Sequence, residues 1–134
     1  MDQAALLAEA EAARGHAYAP YSNFAVGAAL LAEDGSVHRG CNVENASYPA
    51  GICAERGAVA AAVARGQRRF VAIGVAGPPD VAIAPCGICR QVLSEFSPDG
   101  SLRVVTRGAD GAPRSASIAE LLPGAFGSAQ LEQR

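Results

Sequence analysis

Pro85-Cys86-Gly87-Ile88-Cys89-Arg90 places two thiols three positions apart, directly after a proline and ahead of the helix-like run 90–96. Both sulfurs then fall on the first turn of a helix, where unpaired amides and the helix dipole favour thiolate. Such a pair is a metal clamp or a redox couple. Upstream, Cys53-Ala54-Glu55 opens a second predicted helix, over residues 53–65. Three thiols from two helix starts suit zinc, and three thiolates leave one position of a tetrahedral ion open, as a catalytic site requires. Glu55 supplies a carboxylate able to move a proton beside that open position.

Residues two apart in a helix interior point to different sides, so Cys53 and Glu55 serve one centre only if Cys53 stands at the very start of its helix. Three thiolates around Zn²⁺ carry a formal charge of −1, which weakens the ion's power to acidify water. The two helix dipoles offset part of this, and Arg56 and Arg90, each beside a ligand cysteine, are expected to donate hydrogen bonds to the sulfurs. Two other readings of the thiols stay open. A closed structural site would need Cys41 as a fourth ligand, although Cys41 forms no close-spaced pair with Cys53 and lies in a strand-like segment. A redox pair at Cys86 and Cys89 would leave Cys53 and Glu55 without a role.

Outward from these motifs, the chain reads as one α/β domain spanning residues 1–134. Leu6, Leu7, Ala10 and Ala13 make one stripe of a helix over 4–14 that Gly15 can end. Residues 24–32 read as a strand buried on both faces, and Asp34-Gly35 turns the chain back through 37–43. After a polar loop and the helix at 53–65 come a strand at 70–76, a break at Gly77-Pro78-Pro79-Asp80, the thiol helix at 87–96 and a strand at 102–106. Ser117-Ile118-Ala119-Glu120 fits a capping box for a short helix ended by Pro123-Gly124, and residues 128–134 look loosely held. The order predicts a mixed sheet: an antiparallel first pair, then strands reached by helical crossovers, with both thiol-bearing helix starts at one end. Neither His16 nor His38 has ligand-like spacing to the thiols, and both are expected at the surface.

Half of the 134 residues are apolar, many of them alanine, so a core can form although each small side chain contributes little area. Eleven basic against thirteen acidic residues and 5% aromatics give no basic or aromatic track for nucleic acid. Residues 1–13 carry Asp2, Glu9 and Glu11 and lack the pattern of a signal peptide, and no apolar run has membrane-spanning length. A cytoplasmic location is expected, where reduced thiols serve as ligands rather than disulfides.

Cys53-Ala54-Glu55 followed by Pro85-Cys86-Gly87-Ile88-Cys89-Arg90-Gln91 resembles the zinc-dependent cytidine deaminases of the short-chain, homotetrameric type. The resemblance extends through the stretch from Pro20 to Leu30, the loop from Asn42 to Tyr48, and the segment from Leu121 to Phe126. It implies a three-layer α/β/α sandwich with a mixed sheet of about five strands. It also implies Cys53, Cys86 and Cys89 as ligands of one Zn²⁺ per chain and Glu55 as proton shuttle. Asn42 and Glu44 would bond the ribose 3′-hydroxyl, Phe24 would pack on the nucleoside, and Ala54 would contact it. Tyr48 and Phe126 would complete the pocket of a neighbouring subunit. The implied reaction is hydrolytic deamination of cytidine and 2′-deoxycytidine, in pyrimidine salvage, by water that the metal activates. A deaminase of a nucleoside-like antibiotic and a zinc-stabilised binding module are the other classes compatible with the thiols. Two positions depart from the family pattern: Pro49 stiffens the approach to Cys53, and Gly57, where a larger polar residue is usual, loosens its helix.

Overall fold

Strands form where small and β-branched residues run together, and helices start where a side chain or a thiol-bearing residue caps them. The computed structural model describes residues 1–132; Gln133 and Arg134 lie outside the description. Helix α1 (Gln3–Arg14) starts at Asp2, whose Oδ1 accepts from the Ala5 amide at 2.7 Å, and it buries Leu6, Leu7, Ala10 and Ala13. That is the expected stripe. Strands β1 (Gly27–Ala32) and β2 (Val37–Cys41) form the antiparallel hairpin, with Gly35 at φ 88° in its turn. A 3₁₀ turn over Tyr48–Ala50 leads to helix α2 (Ala54–Ala64). Strand β3 (Phe70–Ala76), helix α3 (Gly87–Glu95), strands β4 (Arg103–Arg107) and β5 (Pro113–Ser117), and helices α4 (Ile118–Leu121) and α5 (Ser128–Glu132) complete the order.

The five strands make one mixed sheet in the order β2-β1-β3-β4-β5. β3 and β4 pair in parallel across the α3 crossover, and the other neighbours are antiparallel. Helix α1 covers one face, where Leu6, Leu7 and Ala10 pack with Ala29, Ala72 and Val105. Helices α2, α3 and α4 cover the other, burying Ala58, Leu93 and Ile118 against Leu30, Ile73 and Val104. The result is a three-layer sandwich. Burying a leucine or isoleucine contributes about 1.5–3 kcal/mol, so these few large side chains hold layers otherwise made close by alanine and glycine.

The structure revises four expectations. The first strand begins at Gly27 rather than at 24, because the Val26 amide and the Phe24 carbonyl bond the Asn42 side chain rather than a strand neighbour's backbone. β5 has no apolar alternation and is mostly exposed; its pairing with β4, not its sequence, makes it a strand. Within the stretch expected to be loose, Ser128–Glu132 forms α5, and the last two positions fall outside the described residues. His38 is buried at 6% exposure, on the α2 face of β2, with its Nε2 2.8 Å from Ser36 Oγ.

Candidate active site

Both thiol-bearing helices begin at a cysteine. Cys53 is the N-cap of α2 (φ −78°, ψ 159°) and Cys86 the N-cap of α3 (φ −68°, ψ 171°), each extended so that its side chain leaves the helix end. Cys89 lies in the first turn of α3 and is buried. The three sulfurs lie within 4.8 Å of one another, and Cys53 Sγ is 3.8 Å from Cys86 Sγ. Thiolates at about 2.3 Å from a tetrahedral zinc stand about 3.8 Å apart, so this donor set fits the ion. Among the described residues the group holds these three thiols and no fourth; Cys41 is outside it.

The electrostatics of the trio follow from where each sulfur sits. Burial raises the Cys86 thiol, but the amide and thiol of Cys89, the Cys53 thiol and the Ile88 amide outweigh it and hold Cys86 below its ordinary value. Burial first, then the charges of Glu55 and Cys53, push Cys89 well above it. Three thiols this close cannot all ionise without a cation among them. Glu55 occupies the second position of α2, is 4% exposed, and has its carboxyl raised by burial despite its own backbone amide, Cys89 and Arg56. This leaves a buried carboxyl beside the trio, at the cleft that reaches Cys53 and Cys86.

Arg56 Nη2 donates to Cys53 Sγ at 3.7 Å, while its buried Nε has no partner. Arg90 differs from the expectation. Its Nε donates to the Pro85 carbonyl and its Nη1 to the Leu121 carbonyl, both at 2.8 Å. A guanidinium that satisfies two carbonyls fixes the start of α3 and the end of α4, rather than drawing charge from a sulfur.

A cleft of about 720 Å³ leads down to Cys53 and Cys86. It brings Phe24, Asn42, Glu44, Tyr48, Ala54 and Glu55 together. Phe126 is not among its lining residues: it is 57% exposed, with its carbonyl accepting from Gln91 Nε2 at 2.8 Å. Sequence reasoning passed over the wall made by Val81, Ile83 and Ala84, for which a short apolar run was the only signal. It also passed over Ser22, which lay inside a quoted motif but was given no role.

The chain matches the family model for the cytidine and deoxycytidylate deaminase zinc-binding region over residues 1–106. A cytidine deaminase of Sporosarcina psychrophila is 47% identical over 131 residues, covering 98% of this chain and 96% of that protein. One of Halalkalibacterium halodurans is 48% identical over 126 residues, covering 94% and 95%. The crystal structure of cytidine deaminase from Burkholderia pseudomallei superimposes with a TM-score of 0.87 at 52% identity, covering 94% of this chain and all of that one. With three thiols in reach of one ion at the starts of two helices, and with likeness to these proteins over nearly its full length, the chain belongs to the zinc-dependent cytidine deaminases.

Proposed function

We propose that the enzyme hydrolyses cytidine and 2′-deoxycytidine to uridine and 2′-deoxyuridine with release of ammonia, as a cytoplasmic enzyme of pyrimidine salvage. The observation that carries this reading is Glu55, buried on the first turn of α2 next to the three sulfurs and opening on the cleft. Zinc held by Cys53, Cys86 and Cys89 supplies Lewis acidity that makes water a nucleophile near neutral pH. Glu55 takes a proton from the attacking water and delivers it to ring N3, which makes C4 more electrophilic. Once oxygen has bonded to C4, Glu55 carries the second proton to the exocyclic amine. The C4–N bond breaks, ammonia leaves, and the carbonyl of uracil forms.

In this reading Asn42 and Glu44 hold the sugar 3′-hydroxyl, Phe24 packs on the nucleoside and Ala54 contacts it. A nucleoside fits better than a nucleotide. Glu44 adds negative charge to the cleft, and among the described residues the one cationic side chain lining it is Arg56, whose Nη2 donates to Cys53 Sγ. A 5′-phosphate would meet repulsion from Glu44. Exposed Tyr48, Phe24, Val43 and Ile52 leave apolar surface around the cleft, which supports a homotetramer in which Tyr48 and Phe126 close a neighbour's pocket.

The test combines metal analysis with an ultraviolet assay on wild type and Glu55→Gln. One zinc per chain in both proteins is expected, with turnover in the variant down by about 10²–10⁴-fold. Near-normal turnover in Glu55→Gln overturns the shuttle, and deamination of cytidylate as fast as cytidine overturns the nucleoside assignment.

A further inference from the structure

The loop 21–26 is folded around the two polar side chains that the proposed function sets against the sugar. Glu44 Oε1 accepts from the amides of Tyr21 at 2.9 Å and Ser22 at 3.1 Å, and Glu44 Oε2 accepts from the Ser22 hydroxyl. Ser22 Oγ in turn accepts from the Phe24 amide at 3.0 Å. Asn42 grips the same loop from the other side, accepting from the Val26 amide at 2.9 Å and donating to the Phe24 carbonyl at 2.8 Å. Between Ser22 and Phe24, Asn23 has φ 56°, the one positive φ outside glycine among the described residues. Asparagine tolerates this left-handed conformation better than most residues, and here it turns the chain so that the Phe24 amide comes back to the Ser22 hydroxyl.

A carboxylate offers about four acceptor sites, two on each oxygen. The loop fills three of those on Glu44: both on Oε1 and one on Oε2. One site on Oε2 is left, and the hydrogen that fixes which one belongs to Ser22. These hydrogen bonds, the Ser22 hydroxyl foremost, also hold the Glu44 carboxyl below its ordinary value and keep it an acceptor.

We propose that Ser22 is a positioning residue for the substrate sugar: its hydroxyl orients the Glu44 carboxylate so that a single acceptor site faces the cleft, and ties that carboxylate to the backbone of Phe24. The proposal rests on the reading of Glu44 as the acceptor for the sugar 3′-hydroxyl. Aligned in this way, the acid and the aromatic ring move as one unit, and the sugar meets an acceptor that needs no reorganisation on binding.

The test uses Ser22→Ala, Ser22→Thr and Glu44→Gln in the intact enzyme, each assayed with cytidine and with 3′-deoxycytidine. Loss of one hydrogen bond to a charged group predicts that Ser22→Ala raises KM for cytidine by about tenfold with kcat little changed. With 3′-deoxycytidine, which lacks the hydroxyl that Glu44 would accept, Ser22→Ala should raise KM much less than with cytidine, since only the Phe24 contact is loosened. Ser22→Thr, which keeps the hydroxyl, should restore the cytidine KM. An equal rise of KM on both substrates, or no rise on either, overturns the role of Ser22. The Glu44→Gln arm separates the two readings. A selective loss on cytidine there, without one in Ser22→Ala, sinks the Ser22 proposal alone; no selectivity in Glu44→Gln sinks the sugar reading of Glu44 and Ser22 with it.

Discussion

Helices α2 and α3 deliver thiols to the same centre, but they are held in place by different forces. α2 is built of alanine, glycine and valine around Glu55 and Arg56, and it lies directly on the backbone of β2. A Cβ at Gly40 would collide with the Ala58 amide and the Ala54 carbonyl, with the Gly57 carbonyl carbon at 2.8 Å. Nothing but glycine lets strand and helix approach so closely. α3 buries only Cys89 and Leu93, and its long side chains tether it: Arg90 to Pro85 and Leu121, Gln91 to the Phe126 carbonyl. The difference matches what each helix carries. Cys86 and Cys89 are spaced by α3 itself, so a tether of hydrogen bonds suffices. α2 must hold Cys53 and Glu55 against sulfurs from another element, and steric contact gives it less freedom.

The most severe way to test that contrast is Gly40→Ala. The added methyl meets the α2 backbone at Ala54, Gly57 and Ala58, so α2 must lift, and overpacking of this kind costs up to about 3 kcal/mol. Because Cys53 and Glu55 ride on the same helix end, zinc content and turnover should fall together. Urea unfolding and metal analysis measure both. Wild-type stability with full zinc would mean that α2 is not fixed by contact with β2.

Removing the tether of α3 should do less. Arg90→Met keeps much of the side-chain volume and deletes two hydrogen bonds from a charged group, worth about 2 kcal/mol after partial exposure is allowed for. The expected outcome is lower thermal stability, faster amide exchange around Leu121, and zinc still bound. Loss of the metal in this variant would show that the tether, and not the helix turn, sets the position of Cys86 and Cys89.

The same contrast explains what could be read from the sequence. The metal trio was legible because thiol spacing and the need to place Cys53 and Glu55 together force Cys53 to a helix start, where it is found. β3 was legible from its apolar run, and the α4 cap from Ser117 and Glu120, whose reciprocal hydrogen bonds are present. Arg90 was misread because nearness in sequence to a thiol does not tell a sulfur from a carbonyl as acceptor; the carbonyl of Pro85 and the last turn of α4 are brought to it by the fold. β5 was missed because an edge strand with polar residues on both faces has no periodic signal. Gly40 did leave a trace, since glycine inside a strand marks close backbone approach. Which backbone approaches is decided only when α2 crosses β2.

Across that interface from Gly40 lies Gly57, and the two glycines make opposite predictions. A Cβ at Gly57 would stand 3.6 Å from the Cys41 carbonyl oxygen, 3.7 Å from Gly40 Cα and 3.8 Å from the Cys41 amide nitrogen, which is ordinary van der Waals contact. Its backbone is helical, and alanine is favoured over glycine in a helix interior by up to about 1 kcal/mol. Gly57→Ala should therefore stabilise the protein by about 0.5–1 kcal/mol, read as a small rise in the urea midpoint, with zinc content and cytidine turnover unchanged. The methyl would fill space that exists without moving Cys53 or Glu55. If this variant were destabilised, or lost turnover while keeping its zinc, α2 would have to be held with more tension than its contacts imply. The close approach at Gly40 would then be one part of a strained interface rather than the feature that fixes the helix.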